Sequence, residues 1–183
     1  MEKKGIREWV AAVLPALVWL FLRWAGKGLP PAAEFSLVLV ILGVSAFLYR
    51  REKGAGVFRL SGRDCLLWFA AGIACGFLNR FCFGKPAEVM PGVPGFLLLC
   101  ILGPLAEEII YRGFVYEHSL QFLPAAGAVL LNSLLFAAAH GSPAQAAFAF
   151  AAGILFSFAC RKTGSVTASM ILHMVMNMIV FFF

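Results

Sequence analysis

Seven times between Trp9 and Phe183 the chain runs through apolar residues for the length a bilayer demands, with charge, Gly or Pro between one run and the next. A helix that crosses a hydrocarbon core about 30 Å thick needs about 17 to 25 mostly apolar residues. The runs are Trp9 to Trp24, Ala32 to Tyr49, Asp64 to Phe83, Val93 to Tyr116, Pro124 to His140, Pro143 to Cys160 and Gly164 to Phe183. With 62% hydrophobic residues the chain lies outside the range of a soluble domain, about 45 to 50%. The linkers are too short to hold a further domain. Residues 1–183 are therefore expected to form a single all-α integral-membrane domain, a polytopic bundle of about seven transmembrane helices whose partner is the lipid bilayer.

The net charge of +6 would suit a nucleic-acid binder if it were spread over one soluble face, but it is gathered into clusters. Lys3, Lys4 and Arg7 precede the first run, Arg50, Arg51, Lys53, Arg59 and Arg63 follow the second, and Arg161 and Lys162 follow the sixth. The intervening loops carry Lys27 and the pair Arg80 and Lys85. Lys and Arg accumulate in cytoplasmic loops, so the N-terminus is expected inside and, after seven spans, the C-terminus outside. The basic excess reports topology and contact with anionic lipid, not nucleic acid.

The basic start "MEKKGIREW" resembles a signal peptide. No small-residue cleavage site follows it, and Arg23 with Trp24 reads as the interfacial end of a retained helix. Cys65, Cys75, Cys82, Cys100 and Cys160 are scattered singly with no C-x-x-C pair, which reads as apolar packing instead of redox or metal chemistry. Gly72 and Gly76 form a G-x-x-x-G that is expected to seat one helix closely on another.

Against this background "LAEEIIYRGFVYEH", Leu105 to His118, needs an explanation. An ionised side chain near the bilayer centre costs about 2.5 to 3.5 kcal/mol on insertion scales, so such residues face a protein-lined interior. Glu108 and Arg112 stand one turn apart and can pair within their own helix. Glu107 points about 100° away, has Ile110 and Tyr111 at i+3 and i+4, and needs a partner from elsewhere. Two later runs offer one: "FAAAH" ends in His140, and "HMVMN" sets His173 and Asn177 one turn apart. At 1.5 Å per residue Glu107 lies about 16 Å from one edge of its run and His173 about 15 Å from the opposite edge of its own, so both fall near mid-membrane. Each histidine alone is adequately explained by an interhelical hydrogen bond. Two histidines, a glutamate and an asparagine at compatible depths point instead to a shared site. Pro104 removes a backbone donor just ahead of Glu107, so a kink or break is expected there. His118, beside Glu117, reads as a surface residue.

Three chemistries fit such a set. A carboxylate and an imidazole can activate water while an imidazole and a carboxamide donate to the oxyanion of a peptide-bond hydrolysis. Glu107, His140 and His173 are also adequate in number and kind to bind Zn²⁺ with water in the fourth position, although no H-E-x-x-H motif is present and Asn177 would have no ligand role. A non-enzymatic transporter or immunity-type protein could bind an ion or partner there, although the inverted repeats and paired broken helices usual in transporters are not apparent in the sequence.

"EEIIYRG", "FAAAH" and "HMVMN", in that order on three runs, resemble the signature motifs of the CAAX prenyl endopeptidase and bacteriocin-processing family, also called the abortive-infection family, of intramembrane proteases. The likeness covers roughly 95–177. It implies a glutamic-type endopeptidase that uses no cofactor, with Glu107 activating water, His140 its partner, His173 and Asn177 stabilising the oxyanion, and Glu108 and Arg112 in support. The substrate it implies is a membrane-anchored protein or peptide cut in a C-terminal tail, a leader or a sorting signal. The chain has about seven runs where eight spans are common in that family. Its basic start and compact helices suit a bacterial inner membrane.

Overall fold

A computed structural model of the chain describes residues 2–25, 29–84 and 92–183. Lys27 and Lys85 lie outside the described residues. Among the described residues there is no strand, and the seven apolar runs appear as seven helical rods. These are α1 (Glu2–Ala25), α2 (Pro31–Lys53), α3 (Gly62–Phe83), α4 (Gly92–Ser119), α5 (Ala125–Ala138), α6 (Pro143–Thr163) and α7 (Val166–Phe182). A single 3₁₀ turn, Ala55–Phe58, sits between α2 and α3. α2, α3, α4 and α6 are long and apolar enough to cross a membrane, while α1 (through Val13–Leu22), α5 and α7 contribute shorter apolar stretches. The protein is an integral membrane protein.

The rods start and stop where local chemistry dictates. Pro31 and Pro143 stand in the first turns of α2 and α6, where a missing N–H costs nothing. Ser61, Ser142 and Ser165 accept from the backbone N–H of Asp64, Gln145 and Thr167 and so cap α3, α6 and α7. Gly164 ends α6 at φ +66°, a left-handed conformation for which glycine carries no Cβ penalty.

Two features of this packing position the later helices. The expected G-x-x-x-G seat is present: a Cβ on Gly72 would stand 2.8 Å from the Leu172 carbonyl oxygen, and one on Gly76 would stand 2.6 Å from Ile179 Cβ. α3 and α7 therefore touch backbone to backbone. This contact holds the length of α7 that carries His173 and Asn177. The second feature is α5. The run Pro124 to His140 forms a helix over Ala125–Ala138, about 21 Å at 1.5 Å per residue. That is shorter than a hydrocarbon core of about 30 Å, and the chain leaves the helix two residues before His140.

The expected break at Pro104 takes a different form. α4 stays helical throughout, but Leu97–Leu102 and Ile109–Tyr116 are wound as π-helix on either side of an α segment, Gly103–Glu108, that has Pro104 in its first turn. The Gly103 N–H bonds the Leu98 carbonyl five residues back. Only a glycine fits there, because a Cβ would lie 2.7 Å from that oxygen. A wider winding accommodates the proline without a corner, and π segments inside α-helices occur frequently at functional sites.

The cysteines divide. Cys100 and Cys160 are buried and Cys75 partly so, as packing requires, whereas Cys65 and Cys82 are exposed on the bundle's outside.

Candidate active site

Glu107 and Glu108 leave α4 in different directions, as their 100° offset requires. Glu108 is fully buried, and its Oε1 accepts from Arg112 Nη1 at 3.0 Å and from His173 Nδ1 at 2.8 Å. Arg112, also fully buried, has its guanidinium carbon 4.5 Å from the ring centre of Phe136 and 4.9 Å from that of Phe156. Its Nη2 donates to the Gly153 carbonyl of α6 at 3.3 Å. The Gly153 carbonyl also accepts from Ser157, whose hydroxyl in turn accepts from Asn132 of α5. One arginine thus ties α4, α5 and α6 together. The intrahelical pair expected for Glu108 and Arg112 is present, and His173 is a third member that the spacing did not announce.

Glu107 is only partly buried and faces a cavity of about 700 Å³. His140, His173 and Asn177 line the same cavity, so the four residues singled out from three runs converge. His173 Nε2 lies 3.9 Å from Glu107 Oε2, which supplies the partner from another helix that Glu107 needed. Its ring packs against Phe156, with centroids 4.9 Å apart, and edge-on to Phe136 at 5.7 Å. The imidazole is therefore held by two phenylalanine rings and at Nδ1, with Nε2 on the side of Glu107.

His140 lies beyond the end of α5, in the turn that leads to Pro143, and its Nδ1 is 3.0 Å from the Phe136 carbonyl oxygen. Ala139, His140, Gly141 and Ser142 of this turn all line the cavity.

Asn177 Nδ2 donates to the Leu99 carbonyl of α4 at 2.9 Å. The π winding explains why that carbonyl is available. Its partner five residues on would be Pro104, which has no N–H, and the Gly103 N–H is already given to Leu98. The proline that shapes α4 thereby leaves an acceptor that fixes the carboxamide of α7, and one N–H of Asn177 remains for a ligand. The cavity wall also includes Trp19 of α1 and Val38 of α2, which no polar motif marked in the sequence.

His118 is outside this cavity. It lies near the opposite end of α4, with Nε2 3.5 Å from Glu52 Oε2 and its ring stacked on Phe114. Glu107, His140 and His173 share the cavity, but among the described residues no three His, Cys, Asp or Glu side chains are grouped closely enough to hold a metal ion.

Residues 89–179 match the family model described as type II CAAX prenyl endopeptidase Rce1-like. No curated protein and no solved structure matches the chain.

Proposed function

Because the chain belongs to the Rce1-like family of type II CAAX prenyl endopeptidases, and so to a family of proteases, we propose that it hydrolyses a peptide bond of a membrane-anchored substrate with a water activated by Glu107. The observation that carries this reading is the convergence of Glu107, His140, His173 and Asn177, from α4, the α5–α6 turn and α7, on one cavity inside a membrane bundle. Glu107 takes a proton from water, assisted by His140, as the water oxygen bonds to the carbonyl carbon. The negative charge that develops on the carbonyl oxygen accepts from the remaining Asn177 N–H and from His173 Nε2. The carbon–nitrogen bond then breaks, and the proton held by Glu107 passes to the leaving amine.

The contact with Glu108 sets a condition on His173. A ring nitrogen 2.8 Å from a carboxylate oxygen carries the hydrogen, so Nε2 can donate to an oxyanion only when the ring holds a second proton. Glu108 acts as a positioning residue that holds the His173 ring at Nδ1, and Arg112 holds Glu108.

The substrate is an anchored protein or peptide presented with its backbone extended near a terminus or a helix break, since a helix satisfies its own backbone groups and hides them. A protein-processing or sorting role is ranked above maturation of prenylated tails because the basic, signal-anchor-like start of the chain suits a bacterial inner membrane. The test compares the termini of membrane and secreted proteins in cells with active protein and with Glu107→Ala. Differences confined to soluble proteins with no lipid or hydrophobic anchor would end the membrane-delivery reading.

The second reading, a zinc enzyme on Glu107, His140 and His173, makes the opposite prediction under chelation. If carboxylate and imidazole activate water themselves, phenanthroline leaves proteolysis by the purified protein unchanged and metal analysis finds no stoichiometric zinc. Loss of activity with recovery on adding Zn²⁺ would favour the zinc enzyme.

The orientation proposed from the basic clusters is checked separately. A reporter active only in the cytoplasm, fused after Phe183, is expected to be silent, and an active one with an even span count would show that the first or the last run does not cross.

A further inference from the structure

The cavity is confined to one half of the bundle. Its lining comes from the last turns of α3, the first part of α4, the α5–α6 turn, the start of α6 and the later part of α7. The exposed basic residues mark the other end: Arg50, Arg51 and Lys53 close α2, Arg59 and Arg63 flank the start of α3, and Arg161 and Lys162 close α6. None of the residues from that end lines the cavity.

The basic end is also sealed. Tyr49, Ile109, Cys160, Val166 and Met170 form a buried cluster, and Val57, Phe58 and Phe114 pack against it. The Tyr49 ring meets Phe58 and Phe114 edge-on at 5.9 and 5.7 Å. It also presses on Gly113, where a Cβ would come within 3.0 Å of it. The 3₁₀ turn is fastened over α7, since Ser165 Oγ donates to the Val57 carbonyl at 2.9 Å and Thr167 Oγ1 to the Phe58 carbonyl at 3.0 Å. At the cavity end the rim carries the exposed backbone of Gly141 and the neutral side chains of Asn79 and Gln145, groups that can both donate to and accept from an extended peptide.

We infer that the cavity opens to the non-cytoplasmic side and is closed to the cytoplasm, so that the substrate is a protein already carried across the membrane, cut in a segment on the outer face of its anchor. Lys and Arg set the basic end in the cytoplasm, and the packing leaves the catalytic residues reachable from the other end. This rests on the protease reading for the word substrate, but the access route stands on the packing and the charges alone.

The test is thiol accessibility in intact cells, which requires no proteolysis. Cys65, Cys75 and Cys82 are changed to Ala while the buried Cys100 and Cys160 stay, and this parent gives the background. Single cysteines are then introduced at Gly141, where a side chain meets open space, at Ala152, about 13 Å along α6 from its start and on the cavity wall, and at Arg59. The probe is a membrane-impermeant trimethylammonium methanethiosulfonate. G141C and A152C are expected to react in intact cells, and R59C only after the membrane is opened. Reaction of R59C from outside, with G141C silent until opening, would overturn the side. Reaction of A152C from the cytoplasmic face of inverted vesicles would overturn the seal. A variant that does not accumulate is replaced by a cysteine at Ala144 or Ala149, which line the same cavity. If the labelling succeeds but Glu107→Ala changes no terminus in the proteome, the protease reading fails and the access route survives.

Discussion

Replacing Glu107 by Gln is expected to bring peptide hydrolysis down by about 10² to 10⁴-fold, the range a positioned acid–base group contributes, while the protein inserts and purifies as before. The amide keeps the shape of the side chain but cannot take a proton from water. Because Glu107 is only partly buried and stands 3.9 Å from His173, it is not the residue on which packing depends. His140→Ala and His173→Ala are expected to lose comparable activity, since each removes a group that water or the oxyanion needs. Asn177→Ala should lose less, on the order of 10²-fold for one oxyanion donor, and it also frees the Leu99 carbonyl that this side chain satisfies. The measurement is turnover of a cleavable membrane peptide by purified protein, with thermal unfolding recorded beside it. Full activity in Glu107→Gln would end the mechanism.

That Glu107 can be singled out from its neighbour depends on information of two kinds. The 3.6-residue period separates Glu107 from Glu108, and the scarcity of polar residues in the runs draws attention to His140, His173 and Asn177. Those readings concern spacing, which a sequence states directly. The bond from His173 to Glu108 joins residues 65 positions apart, and no local pattern announces it. Likewise Pro104 signals a disturbance in α4, but whether the helix bends or widens depends on what can satisfy Leu99, and that group is Asn177 on another helix. α5 stops at Ala138 although Ala139 continues its apolar, helix-forming pattern, and His140 lies in the turn that forms the cavity wall. Trp19 and Val38 carry no polar signal, and only the packing of α1 and α2 brings them to the site.

Arg112→Ala is expected to cost about 3 to 5 kcal/mol of stability, the penalty for leaving one member of a buried ion pair alone. Glu108 would keep its His173 contact but lose the cation 3.0 Å away, and the two phenylalanine rings around the guanidinium would close on a void. Glu108→Gln is expected to be milder in stability, because the amide can still hydrogen-bond Arg112, but severe in activity, because His173 Nδ1 loses the carboxylate oxygen 2.8 Å away that orients its ring. The combination that separates these effects is Glu108→Gln with Arg112→Met. Removing both charges and keeping most of the volume is often close to neutral for a buried pair, so the double variant should recover much of the stability that Arg112→Ala loses. Its activity should nevertheless stay low, because His173 Nδ1 faces an amide in place of a carboxylate. Thermal unfolding in detergent reads the first quantity and peptide turnover the second. If the double variant regained activity along with stability, Glu108 and Arg112 would be a structural pair only, and the oxyanion role of His173 would need a donor state that does not depend on them.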